Sequence, residues 1–166
     1  MKPERGQVMV QGLVAGLIGY ATVALLFLLV DVLAARPLFY TAALLGSSLF
    51  YGLKDARELA IEVGPIIAYN GLHLVLFLVI GQIAAWLMFE VERHHNLAYF
   101  VFFLFLGGFI YGMLFVGVLG AEMTHVISWW GVVLANLAWI VTMGSYLILT
   151  HRSLMSELRE EQQASP

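Results

Sequence analysis

The sequence has no cysteine, only four prolines and very little charge: 11% of its 166 residues are Asp, Glu, Lys or Arg. Without thiols there are no disulfides, no thiolate zinc or iron–sulfur sites and no cysteine nucleophile. The lack of cysteine assigns no compartment, because an oxidising space permits disulfides without requiring them. The low charge excludes an ordinary soluble domain, which carries roughly 25% charged residues. Eight Lys and Arg against eleven Asp and Glu leave a net charge of −3. That supplies no clustered cations for a nucleic-acid backbone. A Walker-type phosphate loop and a dinucleotide fingerprint are also missing. Ser47, Ser48 and Ser128 have no convincing third partner for nucleophilic catalysis.

What is present is apolar: 61% of the residues are hydrophobic and 13% aromatic. A membrane-crossing helix needs about 20 predominantly apolar residues. Four segments qualify, residues 8–30, 65–89, 97–121 and 124–150, and none of them contains Asp, Glu, Lys or Arg. The first is too long for the ~7–15-residue apolar region of a signal peptide, so it reads as a retained span. These spans predict an all-α, polytopic membrane protein, an antiparallel four-helix bundle. Residues 1–152 form one transmembrane domain and 153–166 a polar tail. Four spans place both termini on one side, with Lys2, Arg5, Arg93, Arg152 and Arg159; Arg36, Lys54 and Arg57 lie on the other. The positive-inside rule then predicts an inner (cytoplasmic) membrane protein with cytoplasmic termini.

The connections are unequal. A short turn over residues 90–96 joins spans two and three, and a few residues near Gly120 join spans three and four. The first connection is long and too apolar for a solvated loop. Residues 37–63 read as an interfacial segment: a short helix over 41–51 with Thr41 as its N-cap, then a second over 54–63. On that second helix Glu58 and Glu62, at i and i+4, would share a face. Pro65 suits the first turn of span two.

Association of helices in lipid relies on close packing of small residues. Span one carries Gly12, Gly16 and Gly19, and span three carries Gly108 and Gly112. These ridges predict packing within the chain or, in a sharper reading, docking of a membrane partner or a second copy. Aromatic residues surround span three, and Trp86, Trp129 and Trp130 lie toward span ends, where interfacial anchors collect.

Ionisable groups inside spans are costly and point to function. His73 lies about 12 Å down span two from Pro65 at ~1.5 Å per residue, and Asn70 stands nearby one turn above it. Three readings follow from these groups. His73 and Asn70 form a hydrogen-bonded polar pair inside the bundle. Alternatively, His73 and His125 are axial ligands of a b-type haem. Or a single metal ion sits among Glu58, Glu62, Glu122 and His125 in the outer half, since Glu122 and His125 have the Glu-x-x-His spacing of carboxylate–histidine sites. Glu92 and His95 repeat that spacing on the opposite side of the membrane, so a paired di-iron site is excluded. His94 and His95 read as a solvated turn, and the seven Met as core filler.

The runs Gly12-Leu-Val-Ala-Gly-Leu-Ile-Gly, Asp31-Val-Leu-Ala-Ala-Arg-Pro-Leu, Leu44-Leu-Gly-Ser-Ser-Leu and Tyr69-Asn-Gly-Leu-His73 lie in spans one and two and in the connection between them. Through them the chain resembles small, uncharacterised four-helix bacterial integral membrane proteins, a resemblance that implies the fold and no activity. The functional expectation is a non-enzymatic accessory or structural subunit of an inner-membrane complex. The alternatives are a haem- or metal-binding protein, and a small transporter or lipid-handling protein with its cavity beneath the interfacial helix.

Overall fold

Apolar residues in a dry environment must satisfy their backbone internally, and a helix does so within one segment. In the computed structural model, which describes residues 5–94, 97–123 and 129–150, five α-helices follow that rule. They are α1 (Arg5–Leu33), α2 (Tyr40–Tyr51), α3 (Val63–His94), α4 (Leu97–Met123) and α5 (Trp129–Thr150). There is no strand among the described residues. Three helices are long and apolar enough to cross a membrane, over Gly6–Leu33, Val63–Val91 and Trp130–Thr150. The remaining expected span falls on α4, whose described apolar stretch is Phe102–Gly112.

The helices overrun the expected boundaries. Helix α3 continues through Glu90, Glu92 and Arg93 to His94, where a turn was expected from residue 90. Charged residues with long unbranched side chains are good helix formers, so charge ends an apolar span without ending its helix. Helix α1 passes Asp31 and stops in a Schellman closure. Arg36 N–H donates to the Asp31 carbonyl at 2.9 Å and Ala35 N–H to the Val32 carbonyl at 3.0 Å. Ala35 occupies the left-handed position (φ 54°) that glycine usually takes.

Helix α2 matches the expected short helix, but Thr41 is not its N-cap. That position is held by Phe39, left-handed at φ 62° and without a side-chain capping bond. The cap comes from α1 instead: Asp31 Oδ2 accepts the Thr41 N–H at 2.9 Å and Oδ1 accepts the Thr41 hydroxyl at 2.6 Å. The second expected short helix is also corrected. Residues 54–63 contain only one 3-10 turn, Ala56–Glu58, capped by Asp55, which accepts the Arg57 N–H at 2.9 Å. Glu58 and Glu62 therefore do not share a helical face, and both are exposed. In place of one helical face, the strap sets Leu53, Ala56 and Leu59 onto Leu44 and Leu45 of α2.

Helix α1 lies against α3 with backbones nearly touching. Gly16 abuts Gly81, and a Cβ on Gly16 would stand 2.5 Å from the Phe77 carbonyl oxygen and 2.8 Å from Leu78 Cα. Gly12 meets Gln82 and Gly19 meets the Phe77 ring. On α4, Gly108 meets Ile140 and Gly112 meets Asn136 of α5. Gly46 of α2 sits against the backbone of Pro65 in the first turn of α3. Between these contacts lies a core that includes Phe77, Met88, Phe100, Trp139 and Met143. The outward faces stay apolar: Leu25 and Leu29, Val75 and Val79, Phe109, and Val141 are all exposed.

Candidate functional site

His73 is 5% exposed, about a third of the way along α3, and is ringed by aromatic side chains from three helices. One turn earlier on its own helix, Tyr69 stacks on it at 5.4 Å between centroids and 23° between planes. Phe77, one turn later, tilts against it at 4.9 Å. Tyr20 of α1 and Tyr111 of α4 approach at 6.0 and 6.1 Å. The spacing 69–73–77 follows from helical periodicity, which places i, i+4 and i+8 along one face.

The polar bonds differ from the expected pairing. His73 and Asn70 do not bond to each other; each takes a tyrosine. His73 Nδ1 and the Tyr111 hydroxyl lie 2.9 Å apart. Asn70 Oδ1 accepts the Tyr20 hydroxyl at 3.1 Å, and its Nδ2 donates to the Ile66 carbonyl at 2.8 Å. The physical reason is direction: Asn70 reaches toward α1, while the His73 ring turns toward α4. His73 Nε2 is buried and has no hydrogen-bonding partner among the described residues.

Two clefts share a wall formed by Val23, Phe27, Tyr69 and His73. One runs toward α5, past Tyr111, Asn136 and Trp139, and has an empty volume of about 290 Å³, mouth included. The other runs beneath α2, past Asn70, Asp31, Thr41 and Phe39, and has about 430 Å³. The Asp31–Thr41 cap and the left-handed Phe39 therefore shape the roof of this second cleft. Both clefts are mainly apolar with a few fixed polar groups, and their enclosed volumes, about 20 and 40 Å³ without the mouths, are water-sized.

The other candidate residues fall elsewhere. Glu58 and Glu62 stand exposed on the strap between α2 and α3. Among the described residues no three His, Asp or Glu side chains come together. Glu122 belongs to α4, but its side chain, like the whole of His125, lies outside the described residues. Of the expected haem-ligand pair, only His73 is described. Next to it the Phe77 and Trp139 rings meet edge to face at 5.5 Å.

Sequence reasoning missed Tyr20, Tyr69 and Tyr111 as partners of His73. It also missed Asn136, whose Oδ1 accepts the Trp139 indole N–H at 3.1 Å. One signal was present: tyrosine favours the ends of spans, so a tyrosine far from an end needs a polar partner. No family model matches the chain, and no curated protein or solved structure matches it.

Proposed function

We propose that the chain is a four-span integral membrane protein that takes a lipid-soluble molecule from the bilayer into the cleft beneath α2, handling it without chemical conversion. In this reading α1, α3, α4 and α5 span as an antiparallel bundle and α2 lies at the interface. The membrane is the cytoplasmic one, with both termini on the cytoplasmic side. The observation that carries the reading is the buried His73 Nε2, without a hydrogen-bonding partner among the described residues, on a residue that lines two apolar clefts. A polar atom held dry in this way is costly unless a partner reaches it.

Native mass spectrometry of the purified protein tests this. One bound lipophile per chain is expected in the wild type. It should be lost in Ala24→Phe, which fills the cleft beneath α2, while the helical signal and melting temperature are kept. Equal occupancy in both proteins, or none in either, would overturn the reading.

A second reading, the accessory subunit, is favoured by one feature. Helix α4 presents Tyr99, Phe102, Phe105 and Phe109 outward. The α1 glycine ridge faces α3 within the chain, so a membrane partner would meet this aromatic face. Crosslinking from position 102 in native membranes to a single defined protein supports that reading; crosslinking to lipid alone removes it.

A further inference from the structure

Resting on the lipophile-binding reading, we infer that residues 34–42, the connection from α1 and the first turn of α2, form a lid over the cleft beneath α2, latched by the Asp31–Thr41 pair. Closed, the lid leaves a space too small for a lipophile; lifted, it admits one from the bilayer. Three observations carry this inference.

The first is size. Without its mouth the cleft encloses about 40 Å³, room for water and not for a hydrocarbon chain. Phe39, Thr41 and Ala42 line it from one side, and residues of α1 and α3 line it from the other. All three lie in one short stretch of chain, so lifting that stretch enlarges the cleft without separating α1 from α3. Phe39 lines the cleft and is also 48% exposed, which sets it at the mouth.

The second is how α2 is held. Ala43, Leu44 and Leu45 are fully buried, and a Cβ on Gly46 would overlap the Pro65 backbone, so α2 is fixed from residue 43 onward. The first turn is held differently. Phe39, at the N-cap, gives it no side-chain bond. Asp31 of α1 caps it instead, through the Thr41 N–H and hydroxyl. A first turn that loses its cap leaves its N–H groups unsatisfied and frays.

The third is the backbone. Ala35 and Phe39 are left-handed, at φ 54° and 62°. That conformation is unfavourable for a residue with a side chain, above all a bulky one. Such residues persist where their surroundings hold them, and they collect at clamps and switch segments. Both lie in the proposed lid, next to the latch. When the latch breaks, both can relax to favoured conformations as the segment lifts.

The test is photolabelling of the full chain in lipid nanodiscs with an alkyl diazirine, read at Tyr69 and Asn70 in the cleft and at Val79 on the outward face. Thr41→Val keeps the size of the side chain and deletes the hydroxyl of the latch; labelling of Tyr69 and Asn70 should rise at least twofold over wild type, with Val79 unchanged. Asp31→Cys combined with Thr41→Cys supplies a lock, because the chain has no other cysteine. Oxidation to the disulfide should reduce labelling of Tyr69 and Asn70 to background, and a reductant should restore it, again with Val79 unchanged. Equal labelling of the oxidised and reduced pair, or of Thr41→Val and wild type, overturns the lid and leaves the lipophile-binding reading standing. So does a pair that stays reduced under oxidant, since the two positions would then not meet. Labelling of Val79 alone in every variant overturns both.

Discussion

Asp31, at the end of α1, caps α2 through Thr41: its two carboxyl oxygens accept the Thr41 N–H at 2.9 Å and the Thr41 hydroxyl at 2.6 Å. Both residues are buried, Asp31 at 1% exposure. A helix N-terminus carries unsatisfied N–H groups and a partial positive charge, so a carboxyl group from another helix stabilises it. The pair also ties α2 over the cleft that reaches His73.

Removing this cap should loosen α2 and leave the rest of the bundle largely intact. Asp31→Ala is expected to cost about 1–3 kcal/mol, the range for leaving buried donors unsatisfied. Hydrogen exchange should show the loss first at Thr41, Ala42 and Ala43. Uniform loss of protection across α1 and α3 would mean that the pair stabilises the whole fold rather than the position of α2.

The glycines divide into two groups with opposite expectations. Gly16→Ala drives a Cβ to 2.5 Å from the Phe77 carbonyl oxygen and 2.8 Å from Leu78 Cα, backbone atoms that move only with the helix. Overpacking of this kind costs about 1–3 kcal/mol. A Cβ on Gly107 meets nothing within 4 Å, so Gly107→Ala should change stability by no more than about 1 kcal/mol, in the favourable direction for a helix. Thermal melting in detergent compares the two. Equal effects would contradict the α1–α3 packing.

Tyr111→Phe deletes the hydroxyl that meets His73 Nδ1 and keeps the ring that packs on Phe77 at 5.8 Å. Hydrogen bonds between membrane helices average about 0.6 kcal/mol and reach about 1.7. A loss in that range is expected, and it should be smaller when His73→Phe is already present. Additive losses in the double variant would show that the two side chains do not interact.

Much of the helical layout was legible, because apolar runs of 20 or more residues have few alternatives to helix. Boundaries were less so. Residues 90–94 stay helical because their backbone preference outlasts the apolar run. The strap over 54–63 departs from its helical pattern and sets Leu53 and Leu59 on α2, a tertiary contact that no local pattern contains. The location of the site was readable from His73, a rare ionisable group within an apolar run. Its partners were not, since Tyr20, Tyr111 and Asn136 come from helices far apart in sequence and meet only through packing. The glycine spacing announced close approach, but the partner of each ridge required the structure.

The most direct test of a bilayer-fed cleft at His73 is photolabelling in native membranes with a carbonyl-free alkyl diazirine, followed by peptide mapping. The account predicts concentrated labelling of residues 23–31 and 69–73 that falls in Ala24→Phe. Labelling confined to the outward faces around Leu25, Val79 and Val141, unchanged by that substitution, would contradict it.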